Sequence, residues 1–239
     1  MMGLNIAWSQ MVSYHSGTTG EIMGYLSKPK TNTALPGIIL IHEWWGLNQD
    51  IKNKADEFAK KGYVALAVDL YQGKSTTLPK EARNLAGRVR SNMDEAFENL
   101  ESALDFLKSL DNVNKNKLAS VGWCFGGGWS YQMAKNNLDV KASIIYYGRF
   151  NPEDDLSIMR ANILGHFAEK DRGIKIDNVK EFQVKLNTLN GEHEIYIYPN
   201  TMHGFASRPN DNNSAFDKAA SDEAWRRTIV FLEKTFSKY

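Results

Sequence analysis

The sequence predicts an α/β fold, with a mostly parallel central sheet, helices on both of its faces and an antiparallel hairpin at its N-terminus. Three observations lead there. Apolar runs of strand length, among them Gly37-Ile38-Ile39-Leu40-Ile41 and Tyr63-Val64-Ala65-Leu66-Ala67-Val68, show no polar alternation, as strands buried on both faces require. Between such runs apolar residues recur at helical spacing, as Ile51, Ala55, Phe58 and Ala59 do. The two patterns alternate to the end of the chain, so successive strands are joined by right-handed helical crossovers.

Taken in order, residues 10–27 read as the hairpin, with Ser16-Gly17-Thr18-Thr19-Gly20 as its turn. The strands at 37–41 and 63–69 flank the first helical segment. Leu85, Val89, Met93, Phe97, Leu100, Leu104 and Leu107 sustain a helical stripe that breaks near Ser91-Asn92. A strand follows at 118–122, and a helix is expected to continue through 129–135. Further strands fall at 142–147, 163–167 and 194–198, with helical segments between them and a last helix over 216–236. Residues 148–159 form a loop excursion. No repeat, low-complexity stretch or long linker divides the chain, so residues 1–239 are expected to form one domain.

Composition narrows the function. The formal net charge is +1 and no basic run is present, so nothing favours nucleic acid as a partner. No apolar stretch approaches the roughly 20 residues that a membrane-spanning helix needs. The opening Met1-Met2-Gly3-Leu4-Asn5 lacks the basic start and apolar block of a secretory signal, and the cytoplasm is the expected location. A monomer with no metal and no organic cofactor is the plainest expectation. Cys124 is the one cysteine, so it forms no internal disulfide and has no CxxC partner for a metal.

Chemistry gathers at the carboxyl ends of such strands. The strand at 118–122 runs into Gly122-Trp123-Cys124-Phe125-Gly126-Gly127-Gly128, a strand, turn and helix in which the apex residue is flanked at two positions either side by glycine. A tight turn closes only if those places are nearly free of side chain. The N-terminus of the following helix favours a thiolate, and the Phe125 N–H points where an oxyanion would form. Cys124 is thus the candidate nucleophile. A Walker loop would need Lys-Ser or Lys-Thr after the glycines, where Trp129 stands, and GxGxxG does not fit 122–131.

A thiol nucleophile needs a base. His203, in Pro199-Asn200-Thr201-Met202-His203-Gly204-Phe205, lies in a loop after a late strand, whereas His15 falls in the hairpin, His166 inside a strand and His193 before one. The orienting carboxylate comes from Glu169-Lys170-Asp171-Arg172, with Asp171 the natural choice and Glu169 the alternative. The order nucleophile, acid, histidine typifies α/β-hydrolases. Upstream, the strand at 37–41 ends in His42-Glu43-Trp44-Trp45-Gly46-Leu47-Asn48, where that architecture donates its second oxyanion N–H. A zincin reading fails there, because Gly46 stands where a second histidine is required.

These segments, HEWWGLN at 42–48, GWCFGGG at 122–128, EKD at 169–171 and MHGF at 202–205, resemble the dienelactone hydrolase family in kind and order, over about residues 10–236. The resemblance implies an α/β-hydrolase fold and a Cys124-Asp171-His203 triad, with the N–H groups of Trp44 and Phe125 as oxyanion hole. It also implies that Glu43 holds the resting thiol and takes its proton when substrate arrives. Members acting on dienelactone bind the substrate carboxylate with arginines. Arg208 lies near one such place, and Arg83, Arg88 and Arg90 are the candidates for the other. None aligns, so the resemblance supports ester or lactone hydrolysis more broadly than dienelactone itself.

Cysteine in this role favours activated substrates, such as enol lactones, aryl esters and thioesters, because thiolate departs more easily than an amine or a basic alkoxide. Trp44, Trp45, Trp123 and Trp129 are candidates to line an apolar cleft or to pack in the core. The same residues admit two other readings: a non-catalytic ligand-binding or thiol-sensing protein on the same fold, and a serine esterase using Ser120 or Ser130, neither of which sits at a glycine-flanked apex.

Overall fold

The computed structural model describes residues 7–17, 20–207 and 215–239. Those residues form eight strands and six helices, and the chain divides into two compact units, Met1–Ala119 and Ser120–Tyr239. Among the described residues no helix is long and apolar enough to cross a membrane.

In the first unit β1 (Ala7–Gly17) and β2 (Gly20–Pro29) make the N-terminal antiparallel hairpin, with a bulge at Ser13/His15. β2 pairs antiparallel with β4 (Val64–Val68), and β4 pairs parallel with β3 (Leu35–Ile41) from Gly37↔Val64 to Ile41↔Val68. Every residue of β4 is buried, in keeping with its unbroken apolar run. α1 (Gln49–Lys60) starts where the Asn48 side chain caps the N–H groups of Asp50 and Ile51, and buries Ile51, Ala55, Phe58 and Ala59. The long apolar stripe is indeed two helices, α2 (Pro79–Ser91) and α3 (Met93–Ser109), divided at Asn92.

β5 (Val113–Trp123) carries the chain from the first unit into the second. It starts five residues earlier than its apolar segment, because Asn114-Lys115-Asn116-Lys117 extends it as a more exposed stretch that an apolar-run criterion passes over. In the second unit β6 (Ala142–Tyr146), β7 (Asn162–Ala168) and β8 (His193–Tyr198) are parallel neighbours, with Tyr146↔His166 and Ala168↔Tyr198 aligning their carboxyl ends. α5 (Ile176–Leu186) packs on β8, and α6 (Lys218–Phe236) on β6 and β7.

α4 (Phe125–Lys135) begins four residues earlier than its side-chain pattern indicates, so the glycines at 126–128 lie inside the helix. Three glycines in one turn are unfavourable for a helix by propensity alone. Here close approach requires them: a Cβ on Gly127 would lie 2.7 Å from the Tyr146 carbonyl oxygen, and one on Gly148 would lie 2.2 Å from the Gly127 carbonyl carbon. Behind the glycines, the buried hydroxyls of Ser120, Ser130 and Ser143 link β5, α4 and β6, at 2.9 Å and 2.8 Å. Ser120 and Ser130, the alternative nucleophiles, are therefore internal struts.

Gly122 is tightly confined. A Cβ there would fall 2.0 Å from the Gly126 carbonyl oxygen. Gly122→Ala is expected to destabilise the protein by about 3 kcal/mol or more. Gly87→Ala, in α2, where an added Cβ meets nothing within 4 Å, is expected to stabilise it by about 0.5–1 kcal/mol. Denaturant unfolding of the two variants checks the pair, and a wild-type midpoint for Gly122→Ala would contradict the packing described.

Candidate active site

Cys124 leaves β5 with φ 54° and ψ −111° and caps α4. A left-handed φ at a non-glycine residue is strained, and such strain persists only where surrounding structure fixes it. Two contacts do so. The Cys124 N–H donates to the Tyr146 carbonyl at 3.0 Å, and the Cys124 carbonyl accepts from the Gly128 N–H at 3.2 Å. The thiol is half-buried. Phe125, buried, is the first residue of α4, so its N–H sits in the helix's N-terminal turn beside the thiol.

His203 Nε2 lies 3.1 Å from Cys124 Sγ, and its Nδ1 lies 2.6 Å from Asp171 Oδ2. The other carboxylate oxygen, Oδ1, accepts the N–H groups of Gly173 at 2.7 Å and Ile174 at 3.1 Å, which fixes the carboxylate plane. Because a carboxylate only accepts, Nδ1 carries a proton and Nε2 is the nitrogen presented to sulfur. The loops bearing acid and base are joined by backbone: the N–H of Glu169 donates to the Tyr198 carbonyl, and that of Lys170 to the Thr201 carbonyl at 2.8 Å. Glu169, the alternative acid, points elsewhere and accepts the Asn200 N–H at 2.7 Å.

The electrostatics follow from these contacts. Burial opposes charging the His203 ring, but hydrogen bonds to Asp171 and Cys124, and the negative charge of both, outweigh it and push its pKa up to about 10. For Asp171 burial acts to raise the pKa, and the His203 contact with the Gly173 and Ile174 N–H groups reverses this, holding the carboxyl below its ordinary range.

The remaining histidines are occupied otherwise. His166 is fully buried, bonded through Nδ1 to the Tyr198 hydroxyl and through Nε2 to Thr228 Oγ1, and burial pushes its pKa down to about 3. His15 bonds Ser102 Oγ, and His193 accepts the Ile163 N–H.

In the first unit, Glu43 and Trp44 follow β3 in a braced loop. Buried His42 donates from Nδ1 to the Glu43 carbonyl at 2.6 Å and accepts the Leu70 N–H at Nε2. Burial lowers its pKa, which suits this neutral tautomer. Gly46, at φ 91°, lies so close to Lys74 that a Cβ would sit 2.4 Å from the Lys74 carbonyl oxygen, and the Thr76 N–H donates to Trp45. Sequence reasoning missed His42 as a brace, since a strand-end histidine has the same letter in either role. Glu43, Trp44 and Trp45 are half-buried, whereas Trp123 and Trp129 are core residues: Trp123 stacks on Tyr146 at 5.2 Å and Trp129 packs edge-on to Phe125. Arg83 is exposed on α2, and Arg208 lies outside the described residues.

Residues 22–236 match the dienelactone hydrolase family. Protein usf of Aquifex pyrophilus is 30% identical over 231 residues, covering 94% of this chain and 98% of the relative. A relative from Aquifex aeolicus, provisionally named a carboxymethylenebutenolidase, is 28% identical over 239 residues, covering 96% and 99%. The crystal structure of a dienelactone hydrolase-like promiscuous phosphotriesterase from metagenomic libraries superposes with a TM-score of 0.85 at 19% identity, covering 96% of this chain and 98% of that one, and shares the fold. The architecture is that of the α/β-hydrolases, and the chain belongs to the dienelactone hydrolase family.

Proposed function

We propose that this member of a carboxylic ester hydrolase family cleaves an activated ester or lactone through Cys124, with His203 as base and Asp171 as its orienting acid. The observation that carries the reading is the unbroken relay from Asp171 Oδ2 to His203 to Cys124 Sγ, at 2.6 Å and 3.1 Å.

In the proposed cycle Glu43, as the family resemblance implies, takes the thiol proton, and the thiolate, paired with protonated His203, adds to the substrate carbonyl carbon. The oxygen becomes an oxyanion held by the Phe125 N–H and, by the family resemblance, the Trp44 N–H. Protonated His203 gives its proton to the departing alkoxide, leaving an acyl thioester on Cys124. The neutral imidazole then takes a proton from water, hydroxide adds to the thioester carbonyl, and thiolate leaves as the carboxylic acid forms. Only substrate and water are consumed. The tetrahedral adduct on sulfur goes forward only if the alkoxide competes with thiolate as leaving group, which selects enol lactones, aryl esters and thioesters.

With an aryl ester as substrate, Cys124→Ala is expected to abolish turnover. Asp171→Asn is expected to lower kcat by on the order of 10⁴-fold, because an amide donor facing Nδ1 selects the wrong imidazole tautomer. Stoichiometric acylation of the wild type without turnover would instead favour a thiol sensor. Glu43→Gln tests the gate that the family resemblance assigns to this residue: the pH profile of Cys124 alkylation by iodoacetamide is expected to shift, and an unchanged profile would remove Glu43 from the mechanism.

A further inference from the structure

Tyr147 is a second strained residue beside the relay, and nothing above uses it. It follows β6 with φ 39°, a left-handed conformation that a bulky aromatic side chain rarely adopts. Its own contacts fix that conformation. The Tyr147 N–H donates to the His166 carbonyl at 2.7 Å, and the side chain is wholly buried. Its ring lies 5.1 Å from the His203 ring and 5.3 Å from Phe205, and its hydroxyl meets Ser207 Oγ at 3.1 Å. Ser207 and Phe205 are the far side of the loop that carries His203, a loop whose chain also turns at Gly204 with φ 86°.

The neighbours of Tyr147 complete the picture. Tyr146, before it, supplies the carbonyl that holds the Cys124 N–H, and Gly148, after it, packs against Gly127 of α4. One tripeptide therefore touches the nucleophile's backbone through its first residue and the base's ring through its second. The His203 side chain is 39% exposed, so packing restrains the ring only where neighbours such as Tyr147 meet it.

We propose that Tyr147 is a positioning residue: its ring walls the His203 imidazole into line with Cys124, and its hydroxyl ties down the distal end of the His203 loop. The proposal rests on the Cys124-Asp171-His203 reading. It extends that reading by naming what sets the distance between base and nucleophile, which the relay's own hydrogen bonds do not restrain from the side.

The test uses Tyr147→Phe, which removes only the hydroxyl, and Tyr147→Leu, which removes the aromatic wall. Two quantities are read: the titration of the His203 ring by NMR of isotope-labelled histidine, and kcat against KM for an aryl ester. In the wild type the ring is expected to titrate near 10. In Tyr147→Leu the midpoint is expected to move toward the ordinary 6.5, with kcat lower by on the order of 10²-fold, the scale of a 1 Å misplacement. KM is expected to stay within about twofold, since no ground-state binding group is lost. Tyr147→Phe is expected to lose about five- to tenfold in kcat, the scale of one hydrogen bond. Wild-type titration and wild-type kcat in Tyr147→Leu would overturn the proposal, and if that variant fails to fold, wild-type values in Tyr147→Phe would do so. Wild-type turnover in Cys124→Ala would instead overturn the triad reading, and this proposal with it.

Discussion

The backbone turn at Cys124 is the constraint on which the other features of the site depend. A non-glycine residue at φ 54° is held between the end of β5 and the start of α4 by its backbone bonds to Tyr146 and Gly128, and Gly122 lets Gly126 approach so closely that a Cβ could not fit. The turn makes Cys124 the N-cap of α4, so the first residue of the helix, Phe125, follows it directly. It also fixes how closely α4 must approach β6, which in turn demands Gly127 and Gly148 without side chains. The glycine run is thus a packing requirement before it is a chemical signature, and it accepts the helical cost of glycine for that reason.

The second half of the arrangement is electrostatic, and again backbone geometry precedes it. Parallel register between β7 and β8 sets Ala168 opposite Tyr198, so the loops after them leave side by side and are joined by the N–H groups of Glu169 and Lys170. Asp171 then has one oxygen held by two backbone amides and one left for His203. With the carboxylate fixed, the imidazole presents Nδ1 to Asp171 and Nε2 to the sulfur. His42 repeats the principle at the end of β3, where a buried neutral imidazole fixes the Glu43 carbonyl.

Much of this was legible in the sequence, for identifiable reasons. The apolar runs at 37–41 and 142–147 read as buried strands, and the glycines around Cys124 mark a tight turn between strand and helix. Asp171 and His203 were found by their place after strands, which topology converts into proximity. Other features were hidden. The polar start of β5 lacks an apolar signature, and the helical start of α4 is disguised by its glycines. Trp123 and Trp129 carry the same letters whether they line a cleft or fill a core, and burial decides it. Tyr147 reads as one more strand residue, because nothing in a sequence announces a left-handed φ at a tyrosine. Long-range pairs such as Tyr146–Thr228, at 2.7 Å, depend on packing that no local pattern encodes.

The most direct test of the central claim is rapid-quench mass spectrometry of the protein mixed with an aryl ester, followed by peptide mapping. The account predicts an acyl mass on the peptide containing Cys124 that rises within the first turnover and decays as acid product forms. Turnover with no adduct on Cys124, or with the acyl group mapped to a serine, would contradict it.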